Sequence, residues 1–453
     1  MREWSPKQVA QAAGASLIGT PPTLTGPERV TIDSRDAGPG ALFVGLPGAH
    51  RDGGAFAAPA LAAGAWGILT TLAHARTAAR SEAAGAVLVA PDPLRALQSL
   101  ASAWRRELKA EVIAITGSTG KTSTKDLLLA LLSPQRRTVA SRANFNTEIG
   151  LPLEVLAAPA GSEVLVLEMG MRGAGQIAEL AAIAEPDVAV IVSVGPVHLE
   201  LMGTVEAVAA AKAELIAALN PGATAIIPAN EPLLDPHRRA DVSTVTFGDG
   251  GDVHLLSEDG EHVVIEAHAE RIELEVPFPQ AHLRGNLLAA VAAARAIGVT
   301  PRGCVELALS AGRGETVALP GGVTVIDGCY NANPMSMRAA LSDLAATAQR
   351  TGATRRVAVL GDMLELGPQA RSYHERLGEL ANQAQVDLLV TVGPLAEAIA
   401  GRFDHRTLSF ADAAQAAQAI PELIQAGDVV LIKGSLGVGL KAVCLALGVG
   451  VVA

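Results

Sequence analysis

Ile115-Thr116-Gly117-Ser118-Thr119-Gly120-Lys121-Thr122 is the stretch on which the fold turns. A β-branched apolar run, Val112, Ile113 and Ile115, leads into it, and a helix-like run from Thr124 to Leu132 follows. Strand, glycine loop, Lys-Thr and helix make the context of a phosphate site. The loop N–H groups and the positive end of the helix favour anionic oxygens. Lys121 can reach terminal phosphates, and the Thr122 hydroxyl can take a magnesium ion. The longer G-x-x-x-x-G-K-[ST] form would need glycine at position 115, which is Ile, so the loop is the shorter G-x-x-G-K-T. ATP binding is the expectation.

Outward from the loop, strand and helix patterns alternate as in a parallel sheet. Strands are expected at Val112–Thr116, Val164–Glu168, Val188–Val194 and Ala223–Ile227. A β-rich insert follows, with strands Val253–Leu256, Val263–Ala267 and Ile272–Val276, and then a helix Leu287–Ile297. From near Gly312 the alternation resumes as a doubly wound pattern, with strands Val323–Ile326, Val357–Leu360, Leu388–Val392 and Val429–Ile432. Helices Ser336–Arg350, Ala370–Gln383 and Asp412–Gln425 separate them. Before the loop, strands Ala41–Val44, Gly67–Thr70 and Ala86–Val89 precede a helix Leu97–Leu108. The expected fold class is α/β with three domains, 1–108, 109–311 and 312–453.

A chain of 453 residues exceeds one ordinary core. Its 49% hydrophobic and 18% charged content is that of a globular protein. A net charge of −11 argues against general nucleic-acid binding, which depends on neutralising phosphates. Cys304, Cys329 and Cys444 show no paired spacing, so neither a disulfide framework nor a structural zinc site is expected. No signal-peptide core or membrane-spanning run is visible, and a cytoplasmic protein without membrane insertion is expected.

Ligands of open parallel sheets lie beyond the carboxyl ends of the strands. Glu168 ends one such strand, where a carboxylate suits magnesium. His198 follows another, and Lys212 stands among alanines on a helix that begins near Thr204. Taken singly, each has an ordinary structural role open to it: a satisfied histidine, a snorkelling lysine, a helix-cap partner. Their joint placement beside a phosphate loop favours catalysis.

These residues resemble the Mur ligases along essentially the whole chain. The family-wide resemblance lies in Gly117-Ser118-Thr119-Gly120-Lys121-Thr122, Glu168, His198, Lys212 and Arg313. Four further runs resemble the D-alanyl-D-alanine-adding branch: Asn144–Pro152, Glu168–Gly173, Tyr330-Asn331-Ala332-Asn333-Pro334 and Gly361-Asp362-Met363-Leu364-Glu365-Leu366-Gly367. Lys433-Gly434-Ser435 resembles it too.

The resemblance implies an α/β protein with a small UDP-substrate domain, a central P-loop ATPase domain and a C-terminal Rossmann-like domain that closes on ATP. It implies a ligase that adds D-alanyl-D-alanine to a UDP-N-acetylmuramoyl tripeptide through an acyl phosphate, acting as a monomer. Gly117 to Ser123, Asn286, Arg313 and Asp327 would contact nucleotide, with Asn286 at the adenine. Ser34, Arg35, Asn146, Thr147, Asn331 and Asn333 would contact substrate. Two magnesium ions are implied, held through Thr122, Glu168 and His198, with Lys212 carbamylated so that it offers oxygen rather than an ammonium.

Three positions depart from the family pattern: Gly328 for a second aspartate after Asp327, Leu283 for an asparagine after His282, and Leu436 for an arginine. Two other readings stay open: a folylpolyglutamate synthase-like ligase with another acceptor, and a nucleotide-dependent regulatory module without turnover. The run Gly434–Gly439 lacks the G-x-G-x-x-G spacing of a dinucleotide site.

Overall fold

The computed structural model describes all residues except 2, 19–24, 81–83, 143–144, 309, 311, 313 and 451–453. Three sheets follow one another along the chain. The first has five strands in the order Ser16–Leu17, Ala86–Val89, Gly67–Thr70, Ala41–Val44 and Arg29–Thr31, all parallel but the first. Ala41–Val44 is buried throughout. Leu42 and Val44 pack with the helix Pro93–Leu108, while Phe43 faces Ala57 and Leu61 on the other side. A strand covered on both faces reads as a continuous apolar run, and its alternation locks the register, since a one-residue slip would exchange the two cores.

The central sheet has ten strands. The phosphate-loop strand, Glu111–Thr116, lies third from one edge, between Val164–Glu168 and Val188–Ile191, parallel to both. Thr138–Ala140 forms one edge. Thr224–Pro228 and Ser243–Phe247 extend the other side. The expected β-rich insert is not a separate body. Phe247 pairs with Val253, so Val253–Asp259, His262–Ala267 and Glu270–Glu275 continue the same sheet as an antiparallel meander. Ile113 and Ile115 pack on the helices Lys121–Leu132 and Ala281–Ala296. Val112 and Ala114 share the opposite core with Leu97, Leu100 and Trp104, so one core joins the first and central units.

The last sheet has six strands in the order Glu315–Leu319, Val323–Gly328, Asp428–Lys433, Arg355–Gly361, Leu388–Val392 and Arg406–Phe410. Only the first pair is antiparallel. Helices cover both faces, giving the expected doubly wound α/β architecture. Among the described residues no helix is long and apolar enough to cross a membrane.

Candidate active site at the central strand ends

Pairing of Ile115 with Glu168 and of Thr116 with Ile191 brings three strand ends to one edge. The loop is held from the third. The Ser118 backbone N–H donates to the Ser193 carbonyl at 2.9 Å, and the Thr119 N–H donates to Ser193 Oγ at 2.9 Å. Ser118 Oγ meets the backbone of Gly195 through both its carbonyl and its N–H. Gly120 turns the chain into the helix at φ +80°, where a Cβ would lie 2.5 Å from Asn286 Oδ1. Only glycine suits that conformation and that approach. The helix therefore starts at Lys121, three residues earlier than the sequence suggests, because its cap is a left-handed glycine rather than a Ser or Asp side chain. Lys121 Nζ donates to the Gly117 carbonyl at 2.9 Å, curling over the loop.

Glu168 is 2% exposed and fully engaged. Thr122 Oγ1 donates to its Oε2 at 2.7 Å and Asn146 Nδ2 to its Oε1 at 2.8 Å, while its own N–H donates to Ser141 Oγ at 3.0 Å. A hydroxyl and a carboxylate held this way form a hard oxygen donor set that fits magnesium. Sequence reasoning placed Asn146 on the substrate; here its amide orients the carboxylate. Ser141 and Ser193 carried no sequence signal, since both act through hydrogen bonds to segments distant in sequence.

Lys212 lies on the helix Val205–Ala217, capped by Thr204, and is 2% exposed among Val208, Ala209 and Ala211. Burial pushes its pKa well below the ordinary lysine value, and the like charge of Lys121 pushes the same way. An ammonium there does not fit a cation site. A neutral amine does fit carbamate formation. His198 is lowered too, first by burial and then by Lys121, against the opposing pull of Glu365.

The last unit closes onto this edge. Asn333 caps the helix Pro334–Thr351 through Ser336 and sends its Nδ2 to the Ser118 carbonyl at 3.2 Å. Met335 lies so close to Gly195 that a Cβ there would be 2.1 Å from its sulfur. Asn333→Ser keeps a capping oxygen but cannot donate to Ser118. Thermal stability near the parent's is expected, with turnover lowered about tenfold by loss of one buried bond across the closed units. Melting curves and initial rates check this; unchanged turnover would remove the contact's role.

Other predicted residues lie apart. Asp33 takes the Arg35 guanidinium and the Arg35 N–H, holding its carboxyl at about 2 in an exposed turn that also contains Ser34. Thr147 accepts from the Gly150 N–H at the start of a helix. Asn331 is exposed, and its carbonyl accepts from Lys433 Nζ at 2.8 Å. Asp327 is 1% exposed and engaged by Lys441 at 3.0 Å and by the Cys329 N–H. Arg313 and Asn144 lie outside the described residues. Cys329 and Cys444, both free thiols, are 3.1 Å apart, although 115 positions separate them in sequence.

Three family models match: "Mur ligase family, catalytic domain" over residues 28–105, "Mur ligase middle domain" over 115–294 and "Mur ligase, glutamate ligase domain" over 312–436. The UDP-N-acetylmuramoyl-tripeptide–D-alanyl-D-alanine ligase of Bacillus subtilis is 34% identical, covering 96% of each chain. A crystal structure of MurF from Acinetobacter baumannii superposes with a TM-score of 0.86 at 29% identity, over 98% of both chains. MurF from Thermotoga maritima in complex with ADP gives 0.79 at 30% identity, over 92% of this chain and 96% of its own. Matched from end to end by relatives of this kind, and by family models over all three sheets, the chain belongs to the Mur ligase family.

Proposed function

We propose that the chain is an ATP-dependent ligase that joins D-alanyl-D-alanine to a UDP-N-acetylmuramoyl tripeptide, making the pentapeptide precursor of peptidoglycan. The observation that carries this reading is the phosphate loop closed over by Asn333, from a run that resembles the D-alanyl-D-alanine-adding branch. Full-length relatives bearing that activity in their names support it. The units would divide near residues 108 and 311, with UDP-sugar contacts at Ser34 and Arg35, nucleotide contacts at Gly117 to Ser123, Asn286 and Asp327, and Arg313 reaching the phosphates on closure. Thr147 and Asn331 would border the peptide substrates. A monomer is the state the family resemblance implies, and the nucleotide substrates fit the cytoplasm.

Phosphoryl transfer asks more for charge placement than for covalent help. Lys121 and the N–H groups at the start of the helix it opens would hold the β- and γ-phosphates in line with the tripeptide carboxylate. The γ-phosphoryl group passes to a carboxylate oxygen as ADP departs. The amine of D-alanyl-D-alanine then attacks the acyl carbon, phosphate leaves with its electron pair, and the nitrogen gives up a proton to water as the amide bond forms. Magnesium, when bound, supplies charge neutralisation at the phosphates, and Thr122, Glu168 and His198 would hold it. Lys212 joins them only as a carbamate, for which its neutral amine attacks CO2 and loses a proton to water. Burial keeps the lone pair available for that step.

Phosphate release with ATP and magnesium should require both the tripeptide and D-alanyl-D-alanine, with a product mass equal to the pentapeptide. Release that proceeds without the dipeptide, or a product lacking it, would overturn the assignment.

A further inference from the structure

His198 and Glu365 stand on separate units, 167 positions apart, and meet side chain to side chain. Both hold a left-handed backbone, with φ of 53° and 63°, a region that residues bearing a Cβ avoid unless their surroundings impose it. The surroundings are visible. The Glu200 N–H donates to the Glu365 carbonyl at 3.2 Å. Gly367, at φ +60°, lies against the Glu200 backbone, where a Cβ would be 3.3 Å from both N and Cα. An Arg172 nitrogen lies 3.5 Å from Glu365 Oε1, while Oε2 faces His198 Nδ1. The Gly361–Gly367 run, so far only a mark of resemblance, thus docks on the turn that carries His198.

The chemistry of this pair is directional. An ionised carboxylate only accepts, so the proton must sit on Nδ1. The lone pair is then left on Nε2, the nitrogen a cation would need. We propose that Glu365 is a positioning residue: docking of the last unit fixes the orientation and tautomer of His198, so that the imidazole becomes a competent ligand only in the closed enzyme. The proposal rests on the reading of His198 as a cation ligand. It adds a cause for the order of events, since a residue from the closing unit completes the central one.

The test uses the full chain with histidine rings labelled with 15N, the His198 signals being assigned by their loss in His198→Ala. In the parent, Nδ1 should carry the proton. Glu365→Ala should shift His198 towards the Nε2–H form and lower kcat 10- to 100-fold, the usual range for a lost partner of a metal-binding histidine. KM for the UDP substrate should stay within about twofold. Glu365→Gln keeps an acceptor oxygen for Nδ1–H, so it should retain the tautomer and most of kcat. An unchanged tautomer in Glu365→Ala, or a Gln variant as impaired as the Ala variant with the tautomer intact, would overturn the proposal. Near-normal turnover by His198→Ala would overturn the ligand reading beneath it, while the ring signals would still report whether Glu365 orients the imidazole.

Discussion

Replacing Lys121 with alanine is expected to lower turnover about 10³-fold, equivalent to about 4 kcal/mol of transition-state stabilisation. The amine is tethered to the Gly117 carbonyl, curled over the phosphate loop. It is the one loop side chain able to neutralise charge that develops during phosphoryl transfer. The tether also limits its rotamers, so the group is placed before substrate arrives rather than during the reaction. A second effect adds to the first. Lys121 is the charge that helps to hold Lys212 unprotonated, and its removal raises the Lys212 pKa, leaving less neutral amine for carbamate formation. Binding of the UDP substrate should persist, because the proposed UDP-sugar contacts, Ser34 and Arg35, lie in the first unit, in the turn after the strand Arg29–Thr31. Phosphate release at saturating substrates, set beside calorimetric titration with the UDP tripeptide, separates the two. Turnover within tenfold of the parent would remove Lys121 from the chemistry; lost UDP-substrate binding would point to a folding defect.

The parts legible in the sequence were those dictated by local physics. Ala41–Val44, Gly67–Thr70, Val164–Glu168 and Leu388–Val392 have the boundaries read from sequence, because strands buried on both faces are unbroken apolar runs. Ser243–Phe247 and Arg406–Phe410 escaped notice, since their partial exposure mixes Ser, Thr and Arg with the apolar positions. The joining of the β-rich segment to the central sheet depends on one pairing, Phe247 with Val253, that no local pattern encodes. The site divides in the same way. Lys121, Thr122 and Glu168 announced themselves by motif and strand end. Asn146 was found, but its bond to Glu168 was not legible, because an amide that orients a carboxylate and one that binds substrate look identical in sequence. Glu365 was visible only as one letter of a run. Its work depends on a residue in another unit, which proximity in space alone discloses. The contact between Cys329 and Cys444 was hidden for the same reason.

Lys212 supplies the sharper test, because activity and stability should move in opposite directions. Lys212→Met keeps most of the volume and removes the amine. The buried amine releases its proton far more readily than a lysine in the unfolded chain. Below the unfolded value, near 10.4, the unfolded chain binds a proton that the folded chain refuses. Stability therefore rises with pH across the window between the folded and unfolded values, and falls as pH drops through it. A methionine carries no such penalty. In buffer stripped of CO2 and bicarbonate, Lys212→Met should unfold at a higher temperature than the parent, with the gap widening as pH falls from about 10 towards neutrality. Turnover should nevertheless drop about 10³-fold, since the oxygen ligand that carbamylation would make is gone. A residue that weakens the fold and is indispensable to turnover is held for chemistry, whereas a packing lysine would lower both when removed. Lys212→Ala leaves a cavity beside Lys121 that a short carboxylic acid can enter, so acetate or formate should restore part of the lost rate while leaving Lys121→Ala inactive. Turnover by Lys212→Met within tenfold of the parent would end the carbamate reading, and a lowered unfolding temperature in CO2-free buffer would show that the amine is satisfied where it lies.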